Sequence, residues 1–425
     1  MKDSVYRAPK GTRDLVWPDS ERRRSFINLF AEIAGSSGYA EIVLPMFEHR
    51  EVFQRLGDGT DVVRKEMYDF EDKGGRNIAL RPEQTASIVR SYVENRPSLP
   101  WKVWYAGPNF RYERAQKGRF RQFDQVGLEA LGPEDPYLDI EVIAIAWRFY
   151  EALGLRKVNL QLNSIGTSQD RVRYIEALSR YLENQKEFLS KESQDTFAVN
   201  PLRVLDSKRD EDVQVISEAP SILDHLSDGA QSHFNEVQEG LEKLAIPYIV
   251  KPTLVRGLDY YVKTTFEFTS ESIDAAQDAI GGGGRYDGLA AEMGAPETPG
   301  VGFALGLDRT LMACDAEKSF TEPEHMLEIF VVDTTGGANA LVITDELRQE
   351  GFKVDRSFDD RSMKAQMKAA DKSGAKIAVI VGDDEVSNGV VTIRDLRGKG
   401  GQEEITSELM FCSKIKEFVL FVFVF

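Results

Sequence analysis

The sequence has very few of the residues that form metal clusters and disulfides. Its two cysteines, Cys314 and Cys412, lie far apart, and its four histidines are scattered along 425 residues. Zinc sites need closely spaced cysteine and histidine ligands, so we expect no protein-held metal. Two isolated cysteines also suit a reducing compartment, and we expect the protein to be cytoplasmic.

Long apolar runs and excess positive charge are missing too. No stretch approaches the ~20 apolar residues of a membrane-spanning helix, and the N-terminal residues do not resemble a signal peptide. The formal net charge is −17, from 53 Lys and Arg against 70 Asp and Glu. This balance argues against a protein that coats DNA, although one local basic surface could still bind nucleic acid. We therefore expect neither membrane nor DNA as a partner.

The length predicts more than one domain. Residues 1–166 and 246–322 mix β-rich runs with helical patterns, and they are separated by a polar, glutamate-rich, helical segment at 167–245. Strands and helices then alternate over 327–425, which predicts a small α/β domain with a largely parallel sheet. We predict a core in two parts, a helical insertion between them and a C-terminal α/β domain.

Basic residues are concentrated in FRYERAQKGRFRQF at 110–123, where they surround one acid, Glu113. Two β-rich runs flank the loop RAQKG, so the segment predicts an antiparallel hairpin. Every second residue of the second run falls on one face: Arg119, Arg121, Phe123, Gln125, Gly127 and Glu129. Such a face can simply be solvated, but this mixture of side chains favours contact with a ligand.

The charge pattern in this hairpin indicates a polyphosphate attached to a base. Arg111 and Arg121 offer guanidinium groups for phosphate oxygens, and Phe123 offers a flat apolar surface. Glu113, held among arginines, stays ionised and can accept a hydrogen bond from an amino group such as that of adenine. No GxxxxGK[ST] sequence is present, so this is not a P-loop site.

These segments resemble the class II aminoacyl-tRNA synthetases. FRYE with GRFRQFDQVGLE resembles their motif 2, GVGFALGLDR their motif 3, and the helix and strand that end at Pro45 their motif 1. LRPEQTA, LVRGLDYYVKTTFEF, NPLRVLDSK and GGRYDGL resemble the histidyl-tRNA synthetase family in particular. The resemblance runs in the expected order from APKGTRD to about residue 410.

The resemblance implies both fold and activity. The fold would be an α+β catalytic domain (an antiparallel sheet flanked by helices) with a helical insertion and a C-terminal α/β anticodon-binding-like domain. The activity would be that of a ligase that uses ATP to convert L-histidine to histidyl-adenylate and pyrophosphate. The histidyl group would then pass to the 3′ end of histidine tRNA. Mg²⁺ would accompany the ATP phosphates, and the protein would be a homodimer.

For ATP, the resemblance implies a role for each matching residue. Arg111 would hold the α-phosphate and Glu113 the adenine amino group. Phe123 and Arg309 would lie on either side of the adenine. Arg121, together with Arg309, would hold the β- and γ-phosphates.

For histidine, the resemblance implies one group of residues at the amine and another at the imidazole. The amine would be bound by Glu83, Thr85 and Gln125. The imidazole would be bound by Glu129 and Tyr261, with Tyr286 nearby, and Tyr260 also belongs to the histidine-binding residues that the resemblance implies. Tyr260 and Tyr261 would face opposite sides of an extended segment, so one of the two is expected in the core.

The resemblance also implies two catalytic arginines, Arg111 and Arg256, and contacts to tRNA. Arg256 would bind the histidine carboxylate and the α-phosphate together, neutralising two anions that must approach each other. Its alternative role is a salt bridge at the end of a strand. Arg114, Gln116 and Lys117 at the tip of the hairpin would contact the tRNA acceptor end, although a solvated basic turn also fits them.

Several alternatives stay open. The four glycines at 281–284 can be a flexible loop or a place where the backbone approaches a ligand closely. Gln84 stands where the family usually has glycine, and it could crowd the amine site. The chain could also be a non-charging relative, such as a regulatory subunit of histidine biosynthesis, or a class II synthetase for threonine or proline. RGLDYY and Glu129 argue against those other specificities.

Overall fold

The computed structural model describes residues 6–54, 62–114, 116, 118–255, 260–273, 278–322, 327–359, 361–398 and 401–406. The chain divides into two compact units. The larger unit covers Met1–Asp14 and Arg23–Thr321, and the smaller covers Leu15–Arg22 and Glu322–Phe425.

The strands of the described residues are numbered in chain order. They are β1 (Ala40–Glu41), β2 (Phe47–His49), β3 (Asp69–Glu71), β4 (Asn77–Leu80), β5 (Trp101–Phe110), β6 (Gln122–Leu131), β7 (Val158–Ser164), β8 (Ile249–Val250), β9 (Val262–Ser270), β10 (Ala279–Arg285), β11 (Gly300–Gly306), β12 (Ile329–Asp333), β13 (Val354–Arg356), β14 (Ile377–Val381), β15 (Val390–Asp395) and β16 (Gln402–Thr406).

The α-helices are numbered in the same way. They are α1 (Asp19–Ser36), α2 (Arg50–Gln54), α3 (Thr85–Asn95), α4 (Pro136–Ala152), α5 (Ser168–Asn184), α6 (Lys191–Phe197), α7 (Val213–Ser217), α8 (Asp228–Lys243), α9 (Leu289–Glu292), α10 (Leu307–Glu317), α11 (Ala338–Gln349), α12 (Met363–Lys372) and α13 (Asp383–Asn388). Short 3₁₀ helices at Lys186–Phe188, Pro201–Asp206 and Ile222–His225 and a π-helical turn at Val62–Glu66 complete the helical segments of the described chain.

The larger unit is built on a sheet with the strand order β1-β5-β6-β11-β10-β9-β7-β8. The pairs at its two edges, β1 with β5 and β7 with β8, are parallel, and all the pairs between them are antiparallel. A small sheet of order β2-β4-β3 lies in the same unit. The predicted antiparallel sheet flanked by helices is confirmed. The strand expected to end at Pro45 is much shorter, because only Ala40–Glu41 pair as β1.

One face of the large sheet is covered by helices. Val126, Leu128 and Ala130 of β6 are fully buried in one apolar cluster with residues of α1, α4 and α8, among them Phe30 and Ile143. Since neighbouring residues of a strand face opposite sides, the odd-numbered residues of β6 are left for the other face. The alternation read from the sequence therefore decides which side chains can reach a ligand.

The segment at 167–245 is helical, as predicted, and has its own buried apolar cluster. Tyr174, Leu178 and Leu182 of α5 pack there with Val204 and Ile222. A network of hydroxyl groups fixes the middle of the segment: the buried carboxylate of Asp212 accepts hydrogen bonds from Ser190, Ser193 and Ser207. Ser207 is thereby held beside residues that line the large cavity described below.

The smaller unit contains a sheet of order β13-β12-β14-β15-β16. The first three strands are parallel, and β15 and β16 run antiparallel to their neighbours, so the sheet is mixed rather than largely parallel. Ile329, Val331, Ile377 and Val379 lie in its core. The apolar run at the C-terminus lies outside the described residues.

Candidate active site

A cavity of about 890 Å³ opens on the face of the large sheet opposite the apolar cluster of α1, α4 and α8. Strands β5, β6, β9, β10 and β11 contribute to its wall, together with the first residues of α3 and α10. Residues 205–208 of the insertion also line it. A cavity of this size can hold a ligand larger than a single amino acid.

The β5–β6 hairpin determines which residues face the cavity. Phe123, Gln125 and Glu129 line the cavity, as the alternation predicts. The antiparallel register places Gln125 opposite Gly107 and Glu129 opposite Val103. The polar face of β6 is therefore a cavity wall and not a solvated surface.

Glu129 is the most deeply buried acid of the cavity, with a residue exposure of 1%. One of its carboxylate oxygens accepts a hydrogen bond from the Thr85 hydroxyl at 2.7 Å, and the other accepts one from the Tyr286 hydroxyl at 2.5 Å. The carboxylate is thus fixed in position from two sides, by the start of α3 and by the residue that follows β10.

Burial raises the pKa of Glu129 from its ordinary value of 4.5 to about 8. The hydrogen bonds from Tyr286 and Thr85 lower the pKa and the charge of Glu83 raises it further, but loss of hydration is the largest cause. A buried acid shifted in this way, inside a cavity, is typical of a functional site.

A glycine makes room for this carboxylate. Gly302 of β11 lies opposite Glu129 in the sheet, and a Cβ atom at position 302 would be 1.8 Å from Glu129 Oε2. Any side chain at this position would therefore overlap the acid. Within the GVGFALG run of β11, Gly302 is therefore required by its packing against Glu129.

Glu83 is fixed by the backbone at the start of α3. Its carboxylate accepts hydrogen bonds from the backbone N–H groups of Thr85 at 2.8 Å and Ala86 at 2.9 Å. Burial raises the pKa of Glu83, and these two backbone bonds oppose the rise. Gln125, on the opposite wall, accepts a hydrogen bond from the buried Asn109 amide at 2.5 Å. Glu83, Thr85 and Gln125, predicted for the amine, all line the one cavity.

Arginines surround Glu113 at the other end of the cavity. Arg119 Nη1 lies 3.2 Å from the Glu113 carboxylate, and Arg111 Nη1 lies 4.0 Å from it. Arg111 also donates from Nε to the Pro82 carbonyl at 2.9 Å, and its guanidinium lies 5.3 Å from the centre of the Phe123 ring. This end of the cavity combines fixed positive charge with an aromatic surface.

Arg309 extends the positive charge from the opposite wall. It lies in the first turn of α10 and donates from Nη1 to the Ala279 carbonyl at 2.9 Å. Burial lowers the pKa of Arg309, and the nearby positive charge of Arg119 lowers it further. Two guanidinium groups held close together favour an anionic ligand between them.

Three of the predicted residues do not line the described wall. Arg121 stacks on the Tyr112 ring with its guanidinium 3.8 Å from the ring centre, and it donates to the Glu113 carbonyl at 3.2 Å. Arg114 and Gln116 are exposed near the tip of the hairpin. Lys117 and Arg256, the remaining predicted residues, lie outside the described part of the chain.

Three tyrosines form a cluster at the Glu129 end. The rings of Tyr260 and Tyr261 lie 4.6 Å apart, and that of Tyr260 lies 5.7 Å from Tyr286. All three are buried and line the cavity. The expectation that Tyr260 and Tyr261 face opposite sides is wrong, because regular strand begins only at Val262.

The four glycines at 281–284 are part of a central strand, so the loop alternative is wrong. They pair with β9 on one side and β11 on the other, and Gly281 and Gly282 line the cavity. A Cβ atom at position 283 would be 2.0 Å from the Gly302 carbonyl. Because these four residues have no side chains, only backbone atoms of β10 lie beneath the cavity at this point of the sheet.

Sequence reasoning missed several residues of the wall. They are Tyr105 on β5, Glu267 and Thr269 on β9, Asp278, Asp308, and Lys208 of the insertion. The predicted hairpin places Tyr105 on a strand next to β6, but its face follows only from its pairing with Gly127, which the structure supplies. Nothing in the sequence indicated Lys208, since the sequence does not show which part of the segment 167–245 lies against the cavity.

In the described residues, no helix is long and apolar enough to span a membrane. Nor does the described part of the chain hold a group of three or more His, Cys, Asp or Glu side chains that could bind a metal ion.

Comparisons with known proteins agree with this architecture. A family model described as histidyl-tRNA synthetase matches residues 11–310, and one described as an anticodon binding domain matches residues 329–416. The histidine--tRNA ligase of Corynebacterium kroppenstedtii is 46% identical over 401 residues, which are 93% of each chain. That of Geobacillus kaustophilus is 45% identical over 400 residues, 92% of this chain and 94% of the relative.

A solved structure is similar to this chain over nearly its whole length. The crystal structure of apo S. aureus histidyl-tRNA synthetase has a TM-score of 0.79 and 34% identity, and the match covers 98% of this chain and 100% of that one. The sheet with its helices and cavity is a catalytic domain of the class II aminoacyl-tRNA synthetase type. The chain belongs to the histidyl-tRNA synthetase family.

Proposed function

We propose that this protein is a histidine–tRNA ligase that activates L-histidine with ATP and transfers it to histidine tRNA. The observation that supports this most directly is the buried Glu129, held by Thr85 and Tyr286 in a cavity whose other end is lined with arginines. One end suits a side chain that donates a hydrogen bond, and the other suits a nucleotide. Amino-acid activation requires the two ligands side by side.

At the amino-acid end, the imidazole of histidine would donate an N–H hydrogen bond to Glu129. Tyr261 and Tyr286 would enclose the ring, with Tyr260 packed behind them. A pocket that pairs a buried acid with its substrate discriminates strongly, because a side chain without an N–H would fill the pocket without adding a hydrogen bond to those that Glu129 accepts from Thr85 and Tyr286. Glu83, Thr85 and Gln125 would bind the ammonium group.

At the nucleotide end, Glu113 would accept a hydrogen bond from the adenine amino group. Phe123 and Arg309 would lie on either side of the base, and Arg111 would hold the α-phosphate. Arg121 would hold the β- and γ-phosphates with Arg309, which requires it to leave the Tyr112 ring.

The first step is an in-line displacement on phosphorus. A carboxylate oxygen of histidine attacks the α-phosphorus, the bond from that phosphorus to the bridging oxygen breaks, and pyrophosphate leaves. Arg256 would contact both anions and stabilise the charge that develops on the phosphoryl oxygens. In the second step, a ribose hydroxyl at the 3′ end of the tRNA attacks the carbonyl carbon, and AMP leaves.

Mg²⁺ would enter as part of the nucleotide. This ion prefers oxygen ligands and commonly binds through phosphates and one or two carboxylates. The cavity wall offers the carboxylate of Glu267, which fits that preference. Bound Mg²⁺ would neutralise phosphate charge; the residues of the chain orient the reactants.

The rest of the chain would serve tRNA binding and assembly. We assign 1–166 and 246–322 to the catalytic core, 167–245 to the insertion and 327–425 to anticodon binding. Arg114, Gln116 and Lys117 would contact the acceptor end. Exposed apolar side chains at Val43, Met46 and Phe47 support a homodimer. The scarcity of cysteine suits a cytoplasmic enzyme.

The test is ATP–pyrophosphate exchange with the purified protein and each of the twenty amino acids. We expect histidine alone to support rapid exchange, since only an imidazole matches both the acid and the tyrosines. Threonine- or proline-dependent exchange would assign the protein to another specificity. The absence of exchange with every amino acid would point to a non-charging relative.

A further inference from the structure

The N-terminal residues PKGTR at 9–13 lie against the β5–β6 hairpin, and the proposed function gives them no role. The carbonyl of Gly11 accepts a hydrogen bond from the Arg121 N–H at 2.7 Å, next to the first residue of β6. Gly11 has a φ of +85°, and a Cβ atom at this position would be 2.6 Å from Arg121 Cγ, so only glycine fits here. This contact fixes the course of the chain just before Arg13.

Arg13 bridges two walls of the large cavity from outside. Its guanidinium forms an ion pair with the Asp308 carboxylate and lies 4.1 Å from the centre of the Phe120 ring. Asp308 lies in the first turn of α10, directly before Arg309, and Phe120 belongs to the hairpin. Asp308 and Phe120 line the cavity, whereas Arg13 is not part of its described wall. Arg13 thus connects α10 with the hairpin at the nucleotide end.

The ion pair offsets a negative charge at the end proposed for the triphosphate. The Asp308 side chain is 12% exposed; burial raises its pKa, and the charge of Arg13 lowers it. A second wall acid is offset in the same way, because Arg23 of α1 donates to the two Asp124 oxygens at 2.8 and 2.7 Å. Two carboxylates without such partners would repel a polyphosphate. Arginines outside the described wall therefore leave the positive charge of Arg309 to the ligand.

We propose that Arg13 is a positioning residue for the nucleotide, which offsets the charge of Asp308 and holds α10 against the hairpin. This inference rests on the proposed function, because it takes the anionic ligand at this end to be ATP. Without Arg13, the Asp308 carboxylate would repel the phosphates and compete with them for Arg309. Histidine binding should not respond, since the residues proposed for it lie at the other end of the cavity.

The experiment measures KM for ATP and for histidine in ATP–pyrophosphate exchange with Arg13→Ala, Asp308→Asn and the double variant. Arg13→Ala should raise KM for ATP about 3- to 10-fold, the size expected for one partly screened charge, and change KM for histidine less than about twofold. The double variant should return KM for ATP to within about twofold of wild type, because no carboxylate is left to offset. The effect of Arg13→Ala should also shrink in about 0.5 M KCl, which screens the charge.

Arg76→Ala is the matched control. Arg76 forms a 2.7 Å ion pair with Asp72 between β3 and β4, away from the described cavity wall, and its loss should change neither KM. The proposal is overturned if Arg13→Ala leaves KM for ATP unchanged, raises both KM values equally, or keeps its effect in the double variant. A wild-type protein that does not activate histidine would instead refute the proposed function, so the two failures are distinguishable.

Discussion

At the scale of single residues, the site depends on one acid that is kept away from water. Glu129 is 1% exposed, and Thr85 and Tyr286 each donate to one of its oxygens. These two bonds favour the ionised form, but the loss of hydration outweighs them and the pKa rises to about 8. Near neutral pH this buried acid therefore keeps a proton that an ordinary glutamate would release.

This shift predicts a pH-dependent stability. Between pH 4.5 and 8, the folded protein keeps the Glu129 proton while the unfolded chain releases it, so this residue makes the protein less stable as the pH rises. Glu129→Gln removes the titration. The unfolding free energy of the variant relative to wild type should thus increase from pH 5 to pH 8, by at most about 1.4 kcal/mol per pH unit.

Urea unfolding of both proteins at pH 5, 6, 7 and 8 measures this difference. The other titrating groups are present in both proteins, so their contributions cancel in the difference between the two unfolding free energies. A difference that stays constant across the four pH values would mean that Glu129 is ionised in the folded protein throughout the range.

At the scale of secondary-structure elements, the alternation of β6 predicted Phe123, Gln125 and Glu129 correctly as one face. Periodicity within a strand could not reveal Tyr105, because that required the pairing register of β5 with β6. The alternation of a strand also gave the wrong faces for Tyr260 and Tyr261, because both residues precede the first residue of β9, Val262. The sequence could not decide whether the glycine run of β10 forms a loop or a strand, since glycine suits both a loop and a closely packed strand.

Side-chain direction outside regular strands was likewise beyond sequence reasoning. Arg111 and Arg121 looked equivalent as phosphate ligands. In the structure, Arg111 lines the cavity and is held by the Pro82 carbonyl, whereas Arg121 stacks on Tyr112. Which partner an arginine takes depends on neighbours from distant parts of the chain, and their positions follow only from the complete fold.

At the scale of the whole molecule, the chain combines two compact units with separate cores. The cavity lies within the larger unit, and the smaller unit matches the anticodon binding domain model over residues 329–416. Adenylate formation needs only the groups around the cavity, whereas charging also needs tRNA to be held. The two activities should therefore respond differently to loss of the smaller unit.

Deletion of residues 327–425 tests this division. The truncated protein should retain histidine-dependent ATP–pyrophosphate exchange within about tenfold, and it should lose tRNA charging by a factor of 100 or more, since a binding contribution of ~3 kcal/mol corresponds to this factor. Both rates are measured on the same preparation, with circular dichroism as the control for folding. Equal losses, or a greater loss of exchange, would mean that the units are assigned wrongly.

The central claim is that Glu129 selects the amino acid while Glu113 and the arginines around it bind the nucleotide. The most direct measurement is KM for histidine and for ATP in the exchange assay, with Glu129→Ala and Glu113→Ala as a matched pair. Loss of a buried hydrogen bond that leaves the ligand group unpaired predicts that Glu129→Ala raises KM for histidine 10- to 100-fold and KM for ATP less than threefold, with the opposite pattern for Glu113→Ala. Equal changes in both KM values for Glu129→Ala would contradict the account.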